Sequence, residues 1–277
     1  MIALATCAEL PAGYLEDELA DRLGATWAVW DDPQVDWEAF TLVVVRSTWD
    51  YPRDLPGFLA WARSVPRLVN PAPVLAWNTD KRYLAEVAGA GLPVVQTTFL
   101  DPGEPLPAGL PEELVLKPTV SAGSRDTGRF RPAEELGAAR ELLTTIHASG
   151  RTAMLQPFLP SVDAQGESAL CFAGGCFSHA VRKSAILRPG VVAALGTAED
   201  PPIAPHDPEP AERALAEDAL AWLQERFGPL AYARIDLLAG PGGAPVILEL
   251  ELAEPCLYLP CAPGAAERFA AAFGAAA

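Results

Sequence analysis

ARIDLLAGPGGAPVILELELAEP, residues 233–255, decides how this chain is read. Two apolar runs, Ala231–Leu238 and Pro245–Leu252, flank the turn Gly240–Gly243 and predict a β-hairpin. The runs are apolar enough to be buried, yet they carry Asp236, Glu249 and Glu251. On a strand, alternate residues such as Glu249 and Glu251 share a face, with Cα atoms about 6.5–7 Å apart. The hairpin can bring Asp236 beside them. Carboxylates about 5 Å apart repel by about 3 kcal/mol at an effective dielectric of about 20. Three on one semi-buried face therefore call for protonation or a cation, and hard oxygen ligands of this kind suit Mg²⁺. The alternative is an amphipathic hairpin with a wet acidic face, which buries Leu248, Leu250 and Leu252.

Upstream, residues 114–130 read LVLKPTVSAGSRDTGRF. An apolar strand delivers Lys117, and the small-residue loop Ser121–Gly128 follows. Small side chains let backbone N–H groups approach phosphate oxygens while the lysine supplies charge. The lysine precedes the glycines, so this is not the G-x-x-x-x-G-K-[ST] loop. A strand end with an ordinary surface loop is the competing reading.

The N-terminal region alternates strand and helix: Ile2–Thr6, Thr26–Trp30, Thr41–Val45 and Arg67–Val69 are strand-like, while Tyr14–Leu23 and the surroundings of Phe58–Ala62 carry helical spacing. That order implies a parallel sheet covered on both faces. No G-x-G-x-x-G follows any strand, so the lobe is Rossmann-like in outline only. Open parallel sheets bind ligands at their carboxyl ends, where RSTWDY follows TLVVV. Arg46 is placed to clamp a carboxylate and Asp50 to meet an ammonium, with Ser47, Thr48 and Tyr51 as hydrogen-bonding groups. An Arg–Asp pair that only ties down a loop is the other possibility.

Asn78 and Thr79 are read as caps of a helix over Asp80–Ala90, stopped by Gly91. Leu92–Phe99 is extended, 102–111 is a proline-rich loop, and a helix covers Ala133–Ala148. Strands are expected at Ala153–Gln156, at Glu167–Phe172 and at Cys176–Lys183, the last two joined by a hairpin at Gly174-Gly175. The helix Pro210–Phe227 follows a proline-rich connection, Asp200–Pro210.

With 277 residues the chain is long enough for two or three packed lobes. Its formal net charge of −16 opposes nucleic acid and anionic membranes as partners. No apolar run reaches the roughly 18–20 residues of a membrane span, and MIALATCAEL has no basic flank. It reads as a buried strand rather than a signal peptide. Five cysteines in apolar context suit reduced thiols and a cytoplasmic location. The spacing of Cys171/Cys176 and Cys256/Cys261 is looser than a zinc knuckle, which argues against zinc. None of His147, His179 and His206 sits in a hydrolase or metalloprotease motif, and His179 on its apolar strand reads as a core histidine.

A strand–lysine–small-residue loop, then a hinge, then an R-x-D strand paired with an E-x-E strand resembles the ATP-grasp superfamily. The order across nearly the whole chain is similar to its glutathione-synthetase and RimK-type branch. NTDKRYLAEVAGAGLPVVQT (78–97) resembles that superfamily's lysine-bearing helix and the strand after it. VRSTWDYP (45–52), KPTVSAGSRDTGR (117–129) and FSHAVRK (177–183) resemble the cyclo-ligase subgroup that makes D-cycloserine from O-ureido-D-serine.

The resemblance implies an α/β ATP-grasp fold: a Rossmann-like substrate lobe over 1–78, a small lobe with the phosphate loop over 79–153, and a C-terminal lobe with the metal site over 154–277. It implies an ADP-forming ligase that uses ATP and Mg²⁺ to activate a small amino-acid-like carboxylate as an acyl phosphate. A homo-oligomer is compatible with all of this. Lys81 and Lys117 would grip ATP phosphates under the loop holding Ser121 and Gly123. Gln156, Phe158 and Leu159 would read adenine, and Glu167 the ribose. Asp236, Glu249 and Glu251 would hold Mg²⁺, and Arg234 would steady charge on the transferred group. Lys183 and Arg188 are further phosphate or substrate contacts. Two departures stand out: Glu251 replaces the Asn of many relatives, and Gln156 the Glu of several. Intermolecular ligation of glutathione-synthetase type and a non-catalytic ATP-binding module are the alternative functions.

Overall fold

The β-branched run TLVVV ends where a strand covered on both faces must be. Every residue of Leu42–Ser47 is buried. In the computed structural model, which describes residues 1–193 and 202–276, the strands β1 (Ile2–Thr6), β2 (Thr26–Val29), β3 (Leu42–Ser47) and β4 (Leu68–Val69) form a parallel sheet of order β2-β1-β3-β4. The expected helix over Tyr14–Leu23 starts only at Asp17 and stops at Gly24, which adopts the left-handed conformation. Glu16 has non-helical backbone angles, and its carboxylate is committed to Arg46.

A second sheet contains β5 (Thr98–Leu100), β6 (Leu114–Pro118), β7 (Thr127–Phe130) and β8 (Ala153–Pro157). On β6, Leu114 and Leu116 are buried against the helix Pro132–Ala148, so the alternate residues Val115 and Lys117 face the other way. β8 lies wholly inside this sheet, because its neighbours β5 and β6 both belong to it.

The third sheet is antiparallel. β9 (Glu167–Ala173) and β10 (Cys176–Lys183) form the hairpin closed at Gly174 and Gly175. A short β11 (Val192–Ala193) then crosses to pair with β7 in the second sheet. β12 (Ile203–His206), β13 (Tyr232–Ala239) and β14 (Pro245–Glu251) complete the order β12-β10-β9-β13-β14. Of the connection expected over Asp200–Pro210, the first two residues lie outside the described residues, and Ile203–His206 is a strand. The helix Pro210–Phe227 packs its Leu215, Ala219 and Leu223 on this sheet and is closed by a Glu209–Glu212 capping box. A terminal helix, Ala265–Ala275, inserts Phe269 and Phe273 between the first and third sheets, against Leu4, Leu19 and Tyr232.

Asn78 and Thr79 do not cap the start of a helix over Asp80–Ala90; Thr79 ends the preceding one, its amide bonding Leu75 O. One helix spans Ala72–Asn78 and the next runs from Tyr83 to Gly89. The Asn78 amide instead donates to Leu250 O (2.7 Å) and accepts from the Leu252 and Ala253 amides (2.7 and 3.1 Å). Its side chain thus substitutes for a missing strand at the end of β14. Tyr83 Oη exchanges bonds with the Leu250 N–H and C=O at 2.9 Å, Asn70 donates to Leu252 O (3.0 Å), and Tyr232 Oη donates to Ala253 O (2.7 Å). The chain leaving β14 is therefore held by buried polar side chains from three separate segments.

Replacing Asn78 with Ala strands two buried backbone N–H groups, those of Leu252 and Ala253, at about 1–3 kcal/mol each, while Leu250 O keeps its bond from Tyr83. Asn78→Ala is expected to lose about 2 kcal/mol or more in urea denaturation; a loss below about 1 kcal/mol would contradict the clamp.

Candidate active site

The β13–β14 register places Asp236 directly opposite Glu249 and Arg234 opposite Glu251. A β-bulge after this pair makes Leu237 face Ile247, and the extra residue Leu248 turns to the cleft beside the acids rather than into the core. Leu250 and Leu252 are buried as expected. The hairpin forms one wall of a cavity of about 370 Å³ between the second and third sheets. Four cations, Lys81, Lys117, Lys183 and Arg234, and five carboxylates, Glu167, Asp236, Glu249, Glu251 and Glu254, line it.

These charges are interleaved. Arg234 donates to both oxygens of Asp236 at 2.8 Å, to Glu251 at 2.5 Å and to Cys256 O at 3.0 Å, with its guanidinium 5.3 Å from the Tyr258 ring centre. Lys183 bridges Asp236 (2.8 Å) and Glu167. Lys81 lies 3.1 Å and Lys117 3.8 Å from Glu249. The break between the two helices around residue 80 is what frees Lys81: its amide bonds Thr119 O (2.9 Å) and its ammonium donates to Ser121 O (3.0 Å).

Burial and pairing compete at each group. Burial raises carboxylate pKa values, but for Asp236 the charges of Arg234 and Lys183 overcome it and hold the acid well below the usual range. Lys81 and Lys117 likewise keep Glu249 low. At Glu167 burial prevails over Lys183 and lifts the pKa to about 7. Glu251 is also raised, by burial more than Arg234 offsets. Lys117 is lowered by burial, only partly compensated by Glu249.

At the far end, Gln156 is buried and donates to Thr97 Oγ1 at 2.9 Å, while the Phe158 amide bonds Glu113 O at 2.9 Å and the Phe158 ring lies 3.4 Å under the Arg129 guanidinium. Leu159 lines the cleft beside them. Ser121 and Gly123 also line it; Gly123 sits at φ +62, a conformation that favours glycine.

The substrate candidates, four N-terminal residues and Arg188, are elsewhere. Arg46 is buried in a bidentate ion pair with Glu16 (2.7 and 2.9 Å) and donates to Pro255 O, so it has no room to clamp a substrate. Ser47 and Tyr51 are buried, the Tyr51 ring on Phe58; Asp50 accepts from Trp30 Nε1 (2.8 Å); Arg188 is exposed. None of the five lines the cleft. The carboxyl end of β3 is instead covered by residues 254–256, a tertiary contact that the local pattern does not encode. Sequence reasoning missed Tyr14, Trp49, Glu254 and Tyr258 as lining residues. Glu254 escaped because it breaks the E-x-E alternation: three residues past Glu251, it would fall on the opposite face of a continued strand.

Two β-sheet lobes closing on a cleft of lysines and carboxylates, behind a parallel-sheet lobe, define the ATP-grasp fold. A family model described as "D-cycloserine synthetase DcsG, N-terminal domain" matches residues 2–70. The chain is 37% identical to the cycloserine biosynthesis protein DcsG of Streptomyces lavendulae, over 98% of this chain and 97% of that protein. The crystal structure of D-cycloserine synthetase DcsG superposes with a TM-score of 0.88 at 34% identity, covering 100% of this chain and 99% of that one. D-alanine–D-alanine ligase from Bacillus anthracis complexed with ATP shares the fold at 14% identity, with a TM-score of 0.65 over 99% and 94% of the chains. The chain belongs to the D-cycloserine synthetase family of ATP-grasp ligases.

His179 is a core residue here. It is bonded through Nδ1 to Ser178 Oγ (2.9 Å) and through Nε2 to Leu257 O (2.8 Å), an arrangement that assigns the neutral Nε2–H tautomer. Burial lowers its pKa from 6.5. The unfolded chain therefore takes up this proton first, and the contribution to stability is present above about pH 6.5 and lost as pH falls below it. Urea denaturation from pH 7.5 to about 5.5 should show a steeper loss of stability in wild type than in His179→Gln; equal slopes would contradict this assignment.

Proposed function

We propose that the chain is an ATP-dependent ligase of cycloserine biosynthesis. It activates the α-carboxylate of O-ureido-D-serine with ATP as an acyl phosphate; the substrate's own oxygen-bound ureido nitrogen attacks it, phosphate leaves as the ring closes, and water cleaves the N-carbamoyl bond to release carbon dioxide and ammonia. The observation carrying this reading is the pairing of Asp236 with Glu249 and of Arg234 with Glu251 across one hairpin, facing Lys81 and Lys117. The full-length likeness to a cycloserine biosynthesis protein supports the substrate class.

Lys81 and Lys117 would bind triphosphate oxygens, with Ser121 and Gly123 presenting the loop above them. Gln156, Phe158 and Leu159 would flank adenine, and Glu167 would accept from the ribose. Lys183 bridges Glu167 and Asp236 and offsets the repulsion between them. Magnesium fits the donor set, because Asp236, Glu249 and Glu251 are hard oxygen ligands on one face and the cleft carries more carboxylates than cations before any phosphate arrives. Held by these three acids, it would neutralise phosphate charge. Arg234 is already oriented by Asp236 and Glu251, so it can meet charge developing on the transferred phosphoryl or acyl oxygens without reorganising. No nucleophilic side chain is required. A negative overall charge and reduced-thiol chemistry fit a small-molecule enzyme of the cytoplasm.

The purified protein with ATP, Mg²⁺ and O-ureido-D-serine should release phosphate and form a product of cycloserine mass with no second amine present. Turnover only on adding a second amine would replace cyclisation by intermolecular ligation, and nucleotide binding without turnover on any amino acid would make the chain a binding module. Glu249→Gln should lower kcat by about 100-fold or more with an unchanged circular dichroism spectrum; retained activity would remove the metal role.

A further inference from the structure

Glu254 is the cleft carboxylate that the site leaves without a cation. Asp236 has Arg234 and Lys183, Glu167 has Lys183, Glu249 has Lys81 and Lys117, and Glu251 has Arg234. Among the described residues Glu254 forms no such pair. It lines the cleft three residues past Glu251, where β14 ends, and the charges acting on it most are Glu251, Lys81 and Glu249. Its backbone is firmly fixed. The carbonyls of Glu254, Pro255 and Cys256 accept from Trp49 Nε1 (3.0 Å) and Arg46 at the end of β3 and from Arg234 on β13 (3.0 Å). Beside it Trp49 and Tyr14, ring centres 5.2 Å apart, line the same cleft.

We propose that Glu254 anchors the α-ammonium group of the amino-acid substrate, with Trp49 and Tyr14 walling the cleft beside it. This rests on the ligase reading and deepens it, because it names what selects an amino acid over a plain carboxylic acid. A carboxylate removed from bulk water and set beside other acids gains most from a cation, and aromatic faces add attraction for an ammonium. An amino acid held there by its nitrogen has its carboxyl carbon two bonds away, within reach of the Lys81 and Glu249 end where the phosphoryl group is expected. An acid lacking the amine leaves Glu254 uncompensated and is rejected for that reason. The same need shows in its acidity: burial, then repulsion from Glu251, push Glu254 up to about 8 in the absence of a partner.

The test is calorimetric, so that it survives a loss of turnover. Wild type and Glu254→Gln, saturated with a non-hydrolysable ATP analogue and Mg²⁺, are titrated with O-ureido-D-serine and with the analogue lacking its α-amino group. Wild type should prefer the amino acid by about 10- to 100-fold, the range of a charged hydrogen bond. Glu254→Gln should bring the ratio to within about threefold by weakening the amino acid alone, with nucleotide affinity unchanged as the check on folding. Glu254→Asp should recover part of the preference. An undiminished ratio in Glu254→Gln, equal weakening of both compounds, or a changed Mg²⁺ requirement at constant ratio would each overturn the assignment. If wild type ignores O-ureido-D-serine yet turns over another amino acid, the cyclisation reading fails, and the same comparison on that amino acid and its deaminated analogue still decides the role of Glu254.

Discussion

Five carboxylates share one partly buried cleft, and that is tolerable only because four cations are threaded between them. The Arg234–Asp236 fork is the centre of this lattice, since Arg234 also reaches Glu251 and Asp236 also reaches Lys183. Removing either partner would leave a buried charge uncompensated, which costs far more than the pair gains over an apolar substitute. The lattice is therefore better understood as orientation than as stability. Each charged group is already aimed when a substrate arrives, which is the condition under which electrostatic stabilisation of a transition state is effective.

Orientation of that kind needs a rigid frame, and much of the fold serves it. The segment from Leu250 to Cys256 carries no regular partner strand on its outer side, yet its backbone groups are met by Tyr83, Asn78, Asn70, Tyr232, Trp49, Arg46 and Arg234. These come from the N-terminal sheet, the paired helices and β13. The lobes are thus stapled together at the point where the E-x-E strand ends. The terminal helix reinforces the staple from behind with Phe269 and Phe273.

The parts of this structure legible in the sequence are those governed by short-range pattern. The acidic hairpin could be read because alternation and a glycine-rich turn determine which side chains share a face, and the register places Asp236 opposite Glu249. The same holds for Lys117 at the end of an alternating strand and for the helix Pro210–Phe227. What escaped notice depends on partners far away in the chain. Asn78 looks like a helix cap until its amide is seen against residues 250–253. Arg46 looks like a substrate clamp until Glu16 and Pro255 occupy it. The helix Ala265–Ala275, built mostly of alanine, is recognisable chiefly through the two phenylalanines it buries.

The central claim is that Asp236, Glu249 and Glu251 gather a divalent cation at the phosphate end of a nucleotide whose base lies by Gln156–Leu159. A crystal structure with a non-hydrolysable ATP analogue and Mn²⁺ in place of Mg²⁺ addresses it directly, because manganese is located by its anomalous scattering. The expected result is a manganese peak within about 2–2.5 Å of oxygens from these acids, with the triphosphate beside Lys81 and Lys117. A peak elsewhere, or a nucleotide bound outside this cleft, would contradict it.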